Sequence, residues 1–259
     1  MLAQAATQIS LYISDVNTGE LSTIASDPTG PDDTTLDEFY NTIEKYNLLP
    51  RLPESIASLI RDHRISETPK DGDRVLNAIP RVLLLDNAKM LAIAANLALQ
   101  SGLVTEVDFS DNEDYYRSVA DRLFSRLKVL SDKHPDSDVC LIAGGEVSCP
   151  VSGKGTGGRN QEFGLYCATK IREISPGPEV AILSAGTDGI DGNSNAAGAV
   201  VDNDTIIRQG SAGLKARDFL ERNDSYHYFE NYDGLIVTGP TGTNVRDLRL
   251  FLIRRSTFS

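Results

Sequence analysis

The apolar positions of this chain fall into strand-like and helical runs, and their order predicts an α/β fold. The first run, "ISLYIS" (9–14), is strand-like and ends at Asp15. A break follows at Asp27-Pro28-Thr29-Gly30-Pro31, where two prolines and a glycine interrupt any ladder. "TTLDEFYNTIEKY" then reads as a helix capped by Thr34 or Thr35, with acidic residues in its first turn. "LPESIASLIRDH" reads as a second helix opened by Pro53. "SETPKDGDRVLNAIPR" is a polar connection, rich in breakers.

Beyond it, the continuous run "VLLL" (82–85) predicts a strand buried on both faces. Asp86 or Asn87 caps the alanine-rich helix "AKMLAIAANLALQ", which Gly102 ends. "VTEVDF" is a strand, "DYYRSVADRLFSRLKVLSDK" a long amphipathic helix, and "DVCLIAGG" another buried strand. Such alternation argues for a mostly parallel sheet with helices outside. From about residue 138 the pattern changes. "CLIA" and "EVSCPV" read as abutting strands, and a glycine loop, a helix, "VAILS", a short helix at "ARDFLERN" and "GLIV" follow. This part predicts a mixed sheet.

Composition narrows the function classes. The 259 residues are 40% hydrophobic and 24% charged, enough for a substantial core, and the net charge is −12. A surface so acidic repels nucleic acid and anionic membranes, so neither is expected as a partner. No apolar run reaches membrane-spanning length, and the first residues lack the regions of a signal peptide. Cys140, Cys149 and Cys167 show no metal-ligand spacing and are odd in number, which fits a reducing cytoplasm without a disulfide framework. His63, His134 and His227 are too scattered for a zinc site or a Ser-His triad.

Four stretches carry candidate chemistry. "SGKGTGGRNQE" (152–162) lies between a strand-like run and a helix. Gly153, Gly155 and Gly158 satisfy G-x-G-x-x-G, but no acidic residue ends the next strand to take a ribose hydroxyl. The run ends instead in Arg159, whose fork would share space with free backbone N–H groups and favour a phosphate or carboxylate. A plain glycine-rich turn with a solvated arginine is the competing reading. In "SAGTDGIDGNSNAAG", Ser184, Thr187, Asp188 and Asp191 supply hard oxygen ligands suited to Mg²⁺ at a strand end, and turn formation competes. "TGPTGTNVRD" (238–247) offers threonines, glycines and Asn244 to a polar pocket, or forms a surface loop. Asp15, at a strand tip, can orient a substrate hydroxyl or act as its base, although strand-end aspartates are also common caps.

Together, "GGE…GKGTGGRNQE", "SAGTDGIDGNSNAAGAVVD", "TGPTGTNVRDLR", "ISDV" and "ASDPTGPDDTT" resemble the class II glycerate kinases (glycerate 2-kinases) and their C-terminal MOFRL domain, members of which are also labelled hydroxypyruvate reductases. The likeness runs from about Leu2 to Arg249. It implies ATP-dependent phosphorylation of D-glycerate to 2-phosphoglycerate with Mg²⁺, in a cleft between two α/β domains. Carried over by position, Asp15 would activate the substrate hydroxyl and Arg159 would contact substrate or the transferring phosphate. Gly153, Gly155, Gly157, Gly158, Asn160, Glu146, Thr187, Thr241, Thr243 and Asn244 become phosphate- or substrate-binding candidates, and Asp188 and Asp191 the metal ligands. The expected architecture is a partial Rossmann-like first domain and linker (1–80), then a MOFRL-type α/β domain with a mixed sheet (81–259).

Two departures stand out. The family begins with a long segment bearing a catalytic lysine that nothing here matches, so impaired turnover in an N-terminally short chain is expected. Asp27 and Gly30 stand where the family usually has Gly and Val, and a carboxylate there would repel phosphate. The alternatives are a non-catalytic module binding an anion or nucleotide, and an NAD(P)H-dependent hydroxypyruvate reductase. A homodimer is expected through the "ISLYIS" edge.

Overall fold

The computed structural model describes residues 6–17, 19–77, 79–110, 113–174, 179–210 and 215–255. The chain divides into two compact units, Met1–Tyr12 with Gly19–Leu84, and Ile13–Thr18 with Leu85–Ser259. No helix among the described residues is long and apolar enough to cross a membrane.

The first unit holds most of β1 (Ser10–Ile13), then α1 (Leu36–Lys45), α2 (Glu54–Arg61), the single turn α3 (Arg74–Asn77) and most of β2 (Arg81–Leu85). α1 starts at a reciprocal cap: Thr35 Oγ1 accepts the Glu38 amide at 3.2 Å, and Glu38 Oε2 accepts the Thr35 amide at 2.8 Å. β1 pairs with β2 in a two-stranded sheet. Tyr12 is buried, and its hydroxyl donates to Asp27 Oδ1 at 2.9 Å. Asp27 is itself buried and ion-paired with Arg81, so its charge is neutralised within the unit. "VLLL" is not buried on both faces: Val82 and Leu84 are 43% and 51% exposed. Ile9 and Leu11 are exposed as well, and this apolar surface is what the expectation of chain pairing rests on.

In the second unit, α4 (Asn87–Gln100) begins at Asp86, whose side chain accepts the Lys89 amide at 2.8 Å. There follow β3 (Val104–Asp108), α5 (Tyr116–Lys133), β4 (Val139–Ala143), α6 (Arg159–Ile174), β5 (Glu179–Gly186), β6 (Gly198–Asp202), α7 (Thr205–Gly210), α8 (Ala216–Arg222), α9 (Ser225–Glu230), β7 (Leu235–Ile236) and β8 (Asp247–Arg254). The strands form one sheet in the order β3-β4-β8-β5-β6-β7. Among the described residues of this sheet, β3 and β4 pair in parallel and the other neighbouring strands pair antiparallel. The sheet is mixed, as expected of this part, but not mostly parallel, because the last strand inserts between β4 and β5. "EVSCPV" supplies only an isolated bridge, Ser148 to Tyr115, and Pro150 lacks the N–H a ladder needs. "GLIV" shortens to the two residues of β7.

β8 is the strand that decides what the sheet can hold. Side chains alternate between faces along a strand. Leu248, Leu250 and Leu252 pack with Leu91 of α4 and with Cys140 and Ile142. Phe251 and Ile253 join α5 and α6 in the larger core. By the same alternation Asp247 and Arg249 enter the α6 side, where both are fully buried. A carboxylate and a guanidinium in a dry interior must answer each other.

Candidate active site

The site grows from that buried pair, and all of its residues belong to the second unit. Arg249 Nη2 lies 2.8 Å from Asp247 Oδ2, and Nη1 donates to the Gly144 carbonyl at 2.7 Å. The ring of Phe163 sits 4.9 Å from the guanidinium carbon. On the other side of the Asp247 carboxylate lies Arg159, the first residue of α6. Its Nε and Nη2 reach Oδ2 and Oδ1 at 2.8 and 2.9 Å, a two-pronged grip. Burial pulls the Arg159 pKa down, but the hydrogen bonds and charge of Asp247 more than reverse this and hold it above its ordinary value. Arg249, wholly buried, is pulled below its ordinary value by desolvation, against the opposing charge of Asp247. Asn160 completes the floor, with Nδ2 3.0 Å from Asp247 Oδ1 and Oδ1 accepting from Ser184 Oγ at 2.6 Å.

The glycine loop is engaged by the protein itself. Asn223 Oδ1 accepts the Ser152 and Gly153 amides, the Arg222 carbonyl accepts the Gly155 amide, Asp224 accepts that of Thr156, and Asn193 that of Gly157. The glycines permit this approach. A Cβ on Gly153 would sit 1.9 Å from the Arg222 carbonyl oxygen, and one on Gly158 2.4 Å from the Asp191 carboxylate. The free amides expected here are therefore bonded internally at Gly153, Gly155 and Gly157. The start of α6 is occupied too: Asp191 accepts the Asn160 and Gln161 amides at 3.0 and 2.8 Å. Of the features expected to meet an anion, the Arg159 side chain remains, about one-third exposed.

Arg159 Nη2 also lies 3.1 Å from Glu146 Oε1. Burial raises the Glu146 pKa, Arg159 lowers it, and the charges of Asp247 and Asp15 raise it further. Asp15 is thus an electrostatic neighbour of this group. Asn244 Nδ2 donates to Asp15 Oδ2 at 3.4 Å, which ties the "ISDV" tip to the "TGTNV" loop. The threonines act as joinery. Thr187 Oγ1 donates to the Arg246 carbonyl at 2.7 Å, and Thr241 Oγ1 to the Thr187 and Thr243 carbonyls at 2.7 and 2.9 Å. Thr243 enters through its backbone. The two aspartates read as metal ligands have separate tasks: Asp188 Oδ1 accepts the Ile190 amide at 3.1 Å, while Asp191 is 2% exposed and caps α6. Among the described residues no group of three or more His, Cys, Asp or Glu forms a metal-holding cluster.

A cavity of about 430 Å³ opens beside Arg159, lined by Val147, Cys149, Val151, Glu162 and the glycine loop. Glu162 is buried, neither of its carboxylate oxygens makes a hydrogen bond of good geometry among the described residues, and burial lifts its pKa to about 7 against the pull of Ser225. Burial likewise lifts Asp191 to about 6. For an acid whose folded pKa is raised, the folded state binds the extra proton. The associated stability is complete below the unfolded value of 4.5 for Glu162 and is lost as pH rises through 7. Glu162→Gln is therefore expected to flatten the decline in stability between pH 5 and 8, and to be the more stable protein at pH 8 by on the order of 2 kcal/mol. Urea denaturation at the two pH values measures it, and an unchanged slope would refute it.

Asp247, Arg249 and Arg246 were absent from the sequence-based candidates. The alternation of "DLRLFLIR" was the available signal, with two charged residues in line with Phe251 and Ile253.

Comparison with known proteins places these features in a family context. Residues 139–247 match the MOFRL family, and residues 1–61 match a domain of unknown function, DUF4147. A D-glycerate 2-kinase of Thermotoga maritima is 35% identical over 248 residues, covering 95% of this chain and 56% of that protein. A glycerate kinase of Macaca fascicularis is 32% identical over 295 residues, covering 98% of this chain and 74% of that protein. The crystal structure of a glycerate kinase from Thermotoga maritima matches with a TM-score of 0.82 at 34% identity, covering 95% of this chain and 57% of that one. The chain thus spans little more than half the length of the bacterial relative.

Proposed function

The chain belongs to the glycerate kinase family, and on that premise we propose that it carries the hydroxyl-activating and charge-neutralising residues for phosphorylation of D-glycerate by ATP at the 2-position. Asp15 accepts the proton of the substrate hydroxyl as its oxygen bonds to the γ-phosphorus and ADP departs. Asn244 orients the Asp15 carboxylate. Arg159, fixed from behind by Asp247, meets the charge that builds on the transferring group. Glu146 pairs with Arg159 while the site is empty and yields when an anion arrives. The cavity beside Arg159 offers room for a phosphate-bearing ligand.

The observations that carry this reading are two contacts within one unit, Asn244 with Asp15 and Arg159 with Glu146, and the charge of Asp15 acting on Glu146. The Mg²⁺ implied by the family likeness does not fit Asp188 and Asp191 as a ligand pair, because the Asp191 oxygens already accept four N–H donors from Asn160 and Gln161. The reductase and non-catalytic readings are not favoured. A reductase needs a dinucleotide loop with available amides, and those of the glycine loop are bonded internally.

The test is ADP release from ATP and D-glycerate, with Asp15→Asn beside the parent chain. Loss of a general base predicts a fall of at least about 100-fold. Equal turnover in Asp15→Asn, or hydroxypyruvate-dependent oxidation of NADH in place of kinase turnover, would overturn the proposal.

A further inference from the structure

We infer that Arg246 is a positioning residue, which holds the Ser14–Asn17 segment so that Asp15 stands beside Asn244. The inference rests on the reading of Asp15 given above and adds a residue that takes no part in the proposed chemistry. Arg246 lies just before β8 and is 3% exposed. Its φ is +70°, a left-handed conformation that side chains other than Gly, Asn and Asp rarely adopt. The backbone is held there from both sides. Asn244 Oδ1 accepts the Arg246 amide at 2.9 Å, and the Arg246 carbonyl accepts the Thr187 amide and hydroxyl at 3.1 and 2.7 Å. Strain that the surroundings enforce in this way concentrates at functional sites.

The turn sends the guanidinium inward, to a particular partner. Arg246 Nη1 donates to Asn17 Oδ1, and Nη2 lies 3.6 Å from Glu113 Oε1. Asn17 Nδ2 donates to the same Glu113 oxygen at 2.7 Å, which closes a triangle. Asn17 follows Asp15 by two residues, and Asn244 precedes Arg246 by two. The two segments are therefore joined by two rungs, Asp15 to Asn244 and Asn17 to Arg246. The first rung is long, at 3.4 Å. The second is charge-assisted and part-buried, so it sets the spacing at which the first can form. The charge of Arg246 also acts to lower the Glu146 pKa.

Two variants break the second rung from opposite ends. Arg246→Gly suits the left-handed backbone and removes the guanidinium; Asn17→Ala leaves Arg246 in place. Hydrogen exchange of the full chain should show protection at Ser14–Asn17 falling about tenfold in both, with β4 and β8 unchanged. The kcat for D-glycerate should fall at least about tenfold while KM for ATP holds, since small misplacements of a reacting group act on kcat. Because one interaction is removed twice, the double variant should be no worse than either single one. Unchanged exchange at Ser14–Asn17 overturns the inference. So does a rise spread equally over β4 and β8, which marks a general loss of stability. A fall in turnover with unchanged exchange leaves the kinase reading standing and removes this one. Loosened exchange in a chain that never phosphorylates D-glycerate does the reverse.

Discussion

Asp247→Ala is expected to destabilise the fold by about 3–5 kcal/mol, the range seen when one member of a buried ion pair is removed. Against a total of roughly 5–15 kcal/mol for a domain, that loss brings the protein close to unfolding. The cause is what remains behind. Arg249 is fully buried, its Nε has no hydrogen-bond partner among the described residues, and Asp247 carries the opposite charge in contact with it. Without Asp247 the guanidinium keeps, among the described residues, the carbonyls of Gly144 and Gly145 and the face of Phe163. Replacing Asp247 and Arg249 together by leucines removes both charges and should recover much of the loss, because a buried pair is often no better than apolar side chains of similar volume. Urea denaturation of the two single variants and the double variant measures this. A stability for Asp247→Ala within about 1 kcal/mol of the parent would show that the pair is not the keystone of β8.

Arg159→Lys should leave the fold largely intact and reduce the proposed phosphorylation of D-glycerate about 100- to 1000-fold, the scale of losing one preorganised electrostatic stabiliser. The side chain is about one-third exposed, and Asp247 retains Arg249 as its counter-ion, so no charge is stranded. Lysine keeps the charge but cannot reproduce a planar grip on both Asp247 oxygens while presenting a donor outward. The check is kcat beside the melting temperature. A variant with more than a tenth of parental turnover would remove Arg159 from the proposed machinery.

How much of this was legible in the chain differs from residue to residue. The caps were readable to within one residue, Thr34 or Thr35 and Asp86 or Asn87, because capping is local: a short polar side chain just before a helical pattern accepts an amide of its first turn, as Thr35 and Asp86 do. The family was readable because the motifs around Arg159 and Asn244 are long. The placement of β8 was not. Strand order depends on pairing between distant segments, and nothing near Asp247 says that β8 inserts between β4 and β5. Its inward charges also hid it, since Asp247 and Arg249 on a core-facing stripe look like solvent positions until their partners are known. The glycine loop misled for a related reason. Glycine admits any close approach, of a ligand or of the chain's own backbone, and the pattern alone does not tell which.

The seam where the glycine loop meets residues 191–193 and 222–225 shapes how this protein can change. Backbone touches backbone at Gly153, Gly155 and Gly158, so the smallest added methyl already collides and mutational loss there has no gentle slope. Variation in ligand preference, natural or directed, has to travel around this stretch. The openings are Val147 and Val151 on the cavity wall and the exposed Lys154 between two immovable glycines.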